Sequence, residues 1–262
     1  MVMLTTLPWW VLLPLSLVVV FAITMGARRA LTHFFGADSG SAVTTAGPLM
    51  TGFGALFAFL SAFVIATEWS TQSTADAAVA REAAASARLA WASTAAGIDT
   101  GAVQGHLDDY LGRSIVIEWP EMADGTPIAA TDNDQWRALE QTTRTQAGRA
   151  GVAAPSTSEM LSALDDVASA RRERLDLASR ALPIPLFVIL GLSGLALCVN
   201  AAVLTIPHSP RTSVVVATIV TVVALDLGLV LVLGGPFRGT LTSSPALLEG
   251  VQAGIQSGFF QL

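Results

Sequence analysis

The amino-acid sequence predicts an all-α membrane protein with four transmembrane helices and a helical cytoplasmic domain inserted between the second and third. Of its 262 residues, 52% are hydrophobic and only 13% are charged, against a usual charged share of roughly 25%. The hydrophobic residues are concentrated in four stretches, each near the roughly 20 residues that cross a bilayer as a helix. These stretches are Leu7–Met25, Pro48–Thr67, Pro183–Ile206 and Ser213–Leu233.

This composition also excludes several classes of protein. The mean hydropathy of +0.60 is too high for an ordinary soluble enzyme or a disordered chain. The net charge of −6 leaves no basic surface for the phosphates of a nucleic acid. The single cysteine, Cys198, cannot form a disulfide within one chain.

The first apolar stretch is predicted to be an uncleaved membrane helix. A signal peptide has basic residues before its apolar core, whereas here Arg28 and Arg29 follow it. Trp9 and Trp10 are expected at the level of the lipid headgroups, where tryptophan is enriched.

The second apolar stretch carries two different stripes when it is placed on a helix. The bulky stripe, with Ser61 as its polar member, could line a pore, in which an apolar constriction closes the path by dewetting. Alternatively it faces lipid or packs inside the helical bundle. The opposite stripe has small residues, which let a neighbouring helix approach closely. The bulky stripe is Phe53, Phe57, Leu60, Ser61 and Val64; the small one is Thr51, Ala55, Ala58 and Ala62.

The polar insert divides the chain into four predicted regions. The regions are 1–67 with the first two membrane helices, 68–182 as the helical extramembrane stalk, 183–233 with the last two membrane helices, and 234–262 as a tail. The stalk holds 17 of the 20 acidic residues. Its predicted helices are Ser73–Ala96 (continuous with the second span), Ala102–Ile117 (ending before Trp119-Pro120), Asn133–Ala147, and one that starts at Ser156 with a capping box closed by Glu159.

An even number of spans places the N-terminus, the stalk and the tail on one side of the membrane. Six arginines flank the spans on that side and three flank them on the other. Because positively charged loops tend to stay in the cytoplasm, the stalk and both termini are predicted to be cytoplasmic.

Charged residues near the membrane give two candidate sites. Asp226 is the only ionisable residue within a span; such a residue handles ions or protons, or fixes helix packing through a hydrogen bond. Ser61 lies at a similar predicted depth. Arg28, Arg29 and Arg211 would form a basic ring at the mouth of a symmetric oligomer and attract anions, or else bind lipid headgroups.

The stalk contains a set of charges that predicts a salt-bridged helix surface. A lipid-phosphate or nucleotide site there is the alternative. The members of this network are Arg81, Glu82, Glu118, Arg171, Arg172 and Arg174. Catalytic chemistry and a metal site are not expected, because the three histidines have no metal-ligand spacing and no phosphate loop or nucleophile motif is present.

Several short motifs in a fixed order resemble one known family. They are Arg81-Glu82-Ala83, Tyr110 with Ile117-Glu118-Trp119-Pro120, Arg171-Arg172-Glu173-Arg174-Leu175 before Leu182-Pro183, and Pro236-Phe237-Arg238-Gly239 before Ser244-Pro245. Together they resemble the bacterial bestrophin-like family, a domain of unknown function grouped with bestrophins. The resemblance implies four spans and a cytoplasmic helical domain. Bestrophins are pentameric anion channels whose second span lines a narrow apolar neck.

Three functions follow as hypotheses. The first is an oligomeric channel passing anions such as chloride, a pentamer by family analogy, with the second helix lining the pore and no cofactor. The second is a non-conducting accessory subunit whose cytoplasmic stalk binds a partner protein. The third is a small transporter that uses Asp226. In each case the partners are membrane lipid and protein, and no nucleic acid is expected.

Overall fold

The computed structural model describes residues 9–35, 39–129, 133–180, 184–206, 210–239 and 241–261, and these form helices and turns without a strand. The first residues of the predicted first span and the Leu182-Pro183 motif lie outside the described residues. The helices are α1 Trp9–Phe35, α2 Ser39–Ala92, α3 Thr100–Arg113, a π-helical turn Ser114–Glu118, α4 Trp119–Asp124, α5 Asp134–Ala147, α6 Ala154–Ser179, α7 Ile184–Leu204, α8 Pro210–Val232 and α9 Ala246–Gln256.

Four of these helices are long and apolar enough to cross a membrane. They contain the segments Trp9–His33, Thr44–Ala92, Pro185–Leu204 and Ser213–Val232. The prediction of an all-α chain with four membrane-span helices is therefore confirmed.

The chain forms two compact units. The first holds the described parts of Met1–Ser70, Ala181–Gly234 and Gly239–Leu241, and the second holds those of Thr71–Arg180, Gly235–Arg238 and Thr242–Leu262. Helix α2 contributes to both, since no helix-breaking residue interrupts it between Thr67 and Ser73.

In the first unit, α1, α7 and α8 pack against one another. Helices α1 and α8 approach closely at Gly228: a Cβ built there would lie 2.7 Å from Ser16 Oγ. The Ser16 hydroxyl donates across this contact to the carbonyl of Ala224 at 2.9 Å. Small residues and an interhelical hydrogen bond are the features that stabilise helix pairs in lipid.

In the second unit, α3 packs against α5 and α9, and α5 packs against α6. The buried face of α3 carries Val103, Leu107, Tyr110 and Leu111 at the spacing of one helical face. This apolar face forms the centre of the unit's core.

Two helix boundaries differ from the sequence predictions. The chain remains helical through Trp119-Pro120, because Pro120 occupies the first turn of α4, where its missing N–H costs nothing. Helix α6 begins at Ala154 without a side-chain cap, so the predicted capping box does not form. The Glu159 carboxylate pairs instead with Arg88.

The residues of the tail from Thr242 onward lie in the second unit and include the helix α9. The rings of Phe259 and Phe260 contact Trp91 edge to face, at 5.8 and 5.4 Å between centroids.

Candidate functional site

The apolar part of α2 has one face packed inside its own unit. Phe57, Ser61 and Val64 are buried, with 3%, 3% and 2% of their surface exposed. A Cβ built on Gly194 of α7 would lie 3.1 Å from the Phe57 ring, so this glycine makes room for the ring. Phe53 and Leu60 are half-buried against the same cluster.

The predicted pore stripe is therefore the packed face of the helix. A side chain enclosed by its own protomer is not available to line a path between subunits. The pore assignment of Phe57, Ser61 and Val64 stays a prediction, and their burial in the protomer favours the alternative that this stripe packs inside the bundle. A stripe that lines an apolar pore and a stripe that packs in a bundle have the same helical period, so the sequence alone did not separate them.

The opposite face of α2 is exposed in the protomer. Phe59 follows Phe57 by two residues, or about 200° around the helix, and 69% of its surface is exposed. Ala55, Ala62 and Ala66 are exposed close to the same line. Phe63, with 51% of its surface exposed, lies about 40° from Phe59, so this face presents two aromatic rings beside alanines.

The arginines predicted at the mouth lie on α1 and α8. Arg28 is half-buried, whereas Arg29 and Arg211 are exposed. Within the described residues, none of the three forms an ion pair. Each of them therefore keeps a charge that no described acidic side chain neutralises.

Asp226 lies half-buried on α8. Its carboxylate accepts no hydrogen bond from the described residues, and the hydroxyl of Ser61 is buried without a partner there too. Asp226 and Ser61, which lie at a similar predicted depth, therefore form no hydrogen bond with each other. Asn200 instead donates to the carbonyl of Ala46 at 2.9 Å, which joins α7 to α2.

A second group of predicted residues meets in the core of the second unit. Arg174 is fully buried and its guanidinium contacts Glu82 Oε2 at 2.7 Å and Glu118 Oε2 at 2.8 Å. Arg171 contacts the other oxygen of Glu118 at 2.7 Å. Two carboxylates and two guanidiniums thus form a buried network without net charge, held by α2, α6 and the π-helical turn.

Two neutral side chains complete this network. The Tyr110 hydroxyl donates to Glu82 Oε1 at 2.5 Å, and the Asn133 amide donates to Glu118 Oε1 at 2.7 Å. The ring of Trp119 lies beside the guanidinium of Arg174, with 5.4 Å from the central carbon to the ring centroid. All four oxygens of the two carboxylates are therefore hydrogen-bonded, as a buried charge requires.

The charges set the protonation states of the network. Burial by itself raises the pKa of the Glu118 carboxyl, but Arg174 and Arg171 outweigh burial and lower that pKa to about 2. Burial, followed by the charge of Glu82, raises the pKa of the Tyr110 phenol well above its usual value. Burial opposes the charge of Arg174, yet Glu82 raises the pKa of its guanidinium above the usual value. Tyr110 remains a donor and Glu118 an acceptor.

The π-helical turn gives Glu118 its position. Such turns occur as single insertions in α-helices, often near functional sites. Within the turn Glu118 is buried, whereas Val116 has 70% of its surface exposed. The wider turn therefore directs a carboxylate inward at the point where α3 passes into α4.

The remaining members of the predicted network lie outside it. Arg81 pairs with Glu173 at 2.7 Å on the surface. Arg172 is exposed and forms no ion pair with a described residue. Arg172 points about 100° away from Arg171, while Arg174 lies on the same face as Arg171. This spacing is the sequence signal that separates the buried arginines from the exposed one.

The chemistry of the network is structural. Its carboxylates are engaged by arginine, tyrosine and asparagine, so none is a free general base. Among the described residues no group of three or more histidine, cysteine or acidic side chains is placed to hold a metal ion.

Comparison with known structures shows the fold. A crystal structure of a bacterial bestrophin homolog from Klebsiella pneumoniae, carrying a point substitution, is similar with a TM-score of 0.69 and 14% identity, over 95% of this chain and 99% of that chain. A second crystal structure, of a membrane protein with a point substitution, gives 0.70 and 14% over the same shares. A third, of the Klebsiella homolog solved by zinc phasing, gives 0.51 and 15% over 93% and 97%.

Comparison of the sequence gives the family. Curated proteins yielded no match. A family model described as a Bestrophin-like domain matches residues 18–248, which include part of the first membrane-span helix, all of the other three and most of the second unit. The resemblance seen in the short motifs is thereby confirmed, and the chain belongs to the bestrophin-like family.

Proposed function

We propose that this protein is a homo-oligomeric ion channel that passes anions such as chloride and is not an enzyme. The family and the fold are consistent with a channel. The observation that carries the proposal is the outer face of α2, which is apolar, exposed and not used for packing in the protomer. A ring of subunits, five by family analogy, would enclose a path lined by this face.

The outer line of α2 suits a narrow path. Phe59 is the most exposed bulky residue of the line, Phe63 follows it one turn later, and Ala55, Ala62 and Ala66 leave space beside them. Rings of Phe59 and Phe63 around an axis would form an apolar constriction, which controls ion passage through wetting. Phe59 thus takes the role that sequence reasoning gave to Phe57.

Anion preference is proposed to arise at the mouth. Arg29 and Arg211 are exposed and lack an acidic partner among the described residues. Repeated around an axis, they raise the local concentration of anions. The proposed location is the bacterial plasma membrane, with the N-terminus, the second unit and the tail in the cytoplasm, as the arginine distribution favours.

Chloride flux from liposomes tests the channel. We expect Phe59→Ala to increase chloride efflux several-fold over the wild type, because it widens the constriction. The matched control is Leu192→Ala, which shortens an apolar side chain of α7 that is also more than half exposed, and it should leave flux unchanged.

Two outcomes decide against the proposal. If wild type and Phe59→Ala both release chloride no faster than empty liposomes, while circular dichroism shows folded protein, the chain is an accessory subunit that does not conduct. If Leu192→Ala changes flux as much as Phe59→Ala, the path does not follow the outer line of α2.

A further inference from the structure

A groove in the first unit combines an apolar wall with one charged residue. It has a volume of about 200 Å³ and is lined by α1, the residue after α7, and α8. Its apolar wall consists of Phe21, Met25, Val216, Ala217 and Val220.

The hydroxyl groups of two lining residues are already engaged. Thr24 donates to the carbonyl of Val20 at 2.8 Å, and Thr205 donates to the carbonyl of Ala202 at 2.7 Å. Both hydroxyls are therefore bonded to backbone carbonyls. Most of the groove is therefore apolar in character.

Arg28 is the charged residue of the groove. It is half-buried, and it has no acidic partner among the described residues. It lies three residues beyond Met25, at the polar end of the apolar segment of α1. The lining residue Ser213 is close to the start of α8, where the helix dipole adds positive potential.

We propose that this groove binds one anionic phospholipid. The phosphate would contact the guanidinium of Arg28, and an acyl chain would cover Phe21, Met25 and Val220. Charge complementarity selects an anionic headgroup, because a half-buried arginine without an acidic partner is best stabilised by a hydrogen-bonded anion. The apolar wall selects a lipid over a free phosphate ion, since an ion leaves that wall uncovered.

The proposed site contains only one of two arginines that are adjacent in the sequence. Arg28 belongs to the groove, while Arg29 is exposed and remains a member of the proposed mouth. Lipid binding at Arg28 does not require that the protein conducts ions, so this proposal stands or falls separately from the channel.

Native mass spectrometry and thermal unfolding of the full chain in detergent test the site. The probes are phosphatidylglycerol, phosphatidylcholine and inorganic phosphate. We expect phosphatidylglycerol to bind and to raise the unfolding temperature more than the other two. Arg28→Gln should weaken its binding about five-fold, the effect of one basic residue at a membrane surface. Arg29→Gln is the matched control and should bind as the wild type does.

A second variant tests the apolar wall without changing charge. Ala217→Phe fills the groove and should abolish the selective binding of phosphatidylglycerol while the protein remains folded. Equal binding of phosphatidylcholine, equal stabilisation by inorganic phosphate, equal effects of Arg28→Gln and Arg29→Gln, or unchanged binding by Ala217→Phe would each overturn the proposal.

Discussion

Replacing Glu118 with glutamine tests whether the buried charges hold the second unit together. The substitution keeps the size of the side chain but removes its charge. Arg171 and Arg174 each contact one oxygen of this carboxylate, at 2.7 and 2.8 Å. Arg174 keeps Glu82 as a partner, while Arg171 loses the buried carboxylate that it contacts.

The expected loss of stability follows from the pKa of Glu118. Its value of about 2 against 4.5 for a free carboxyl corresponds to about 3 kcal/mol at about 1.4 kcal/mol for each factor of ten. Breaking a buried ion pair by removing one partner costs about 3–5 kcal/mol, so the two arguments agree. At about 2–4 °C per kcal/mol for a chain of this size, the unfolding temperature should fall by about 6–12 °C.

Thermal unfolding in detergent, followed by tryptophan fluorescence, measures this change. Trp119 lies beside Arg174 and reports on the network. The control is Glu159→Gln, which breaks a surface pair with Arg88 whose side chains are both more than 40% exposed; it should unfold within about 2 °C of the wild type. If Glu118→Gln unfolds no earlier than Glu159→Gln, the stabilising role of the network is refuted.

The same carboxyl gives a pH dependence with a definite sign. Its pKa is lower in the folded state, so its contribution to stability is complete above about 4.5 and is lost as the pH falls through about 2. The difference in unfolding temperature between wild type and Glu118→Gln should therefore be constant from pH 5 to 7 and shrink below pH 4.5. A difference that grows in acid would contradict the assigned charge state.

Two further substitutions have defined outcomes. Tyr110→Phe removes the hydroxyl that donates to Glu82 and should cost about 1.5–3 kcal/mol, the usual range for a buried bond to a charge; an unfolding temperature equal to that of the wild type would argue against that bond. Gly228→Ala places a methyl group 2.7 Å from a serine oxygen on α1 and should cost about 1–3 kcal/mol. Gly191→Ala has open space around its Cβ and should be neutral or slightly stabilising, so thermal scans that rank the two variants equally would contradict the packing argument.

The membrane helices were predictable because the length of an apolar stretch is by itself enough to indicate a membrane span. A span needs about 20 apolar residues whatever it packs against, so the four stretches appear in the sequence before any contact is known. Helix α2 continues past the membrane segment for the same local reason, since alanine-rich sequence between Thr71 and Ala92 favours helix.

Which face of α2 packs inside the unit was not predictable in the same way. Phe57 and Phe59 are both apolar and both compatible with a pore or with packing. What separates them is Gly194 on α7, which leaves room for the Phe57 ring. That contact joins positions 137 residues apart, so no local pattern in α2 contains it. The burial of the predicted stripe in the protomer therefore favours packing over a pore lining.

The buried network was only partly predictable from the sequence. The spacing of Arg171 and Arg174 on one face of a helix was visible in the sequence, and so was the acidic character of Glu82 and Glu118. Their burial was not, because charged residues are rarely buried and the simplest expectation is a solvated surface.

Burial of this network has a consequence for how the protein could respond to pH. Glu118 titrates near pH 2, and the pKa values of Tyr110 and Arg174 are raised above their ordinary values. None of these three groups changes charge between pH 5 and 8, so the ion pair of Glu118 with Arg174 stays charged across the physiological range. A network of this kind holds α2, α6 and the π-helical turn in one arrangement. If the proposed channel responds to pH near neutrality, the response must therefore originate in other residues.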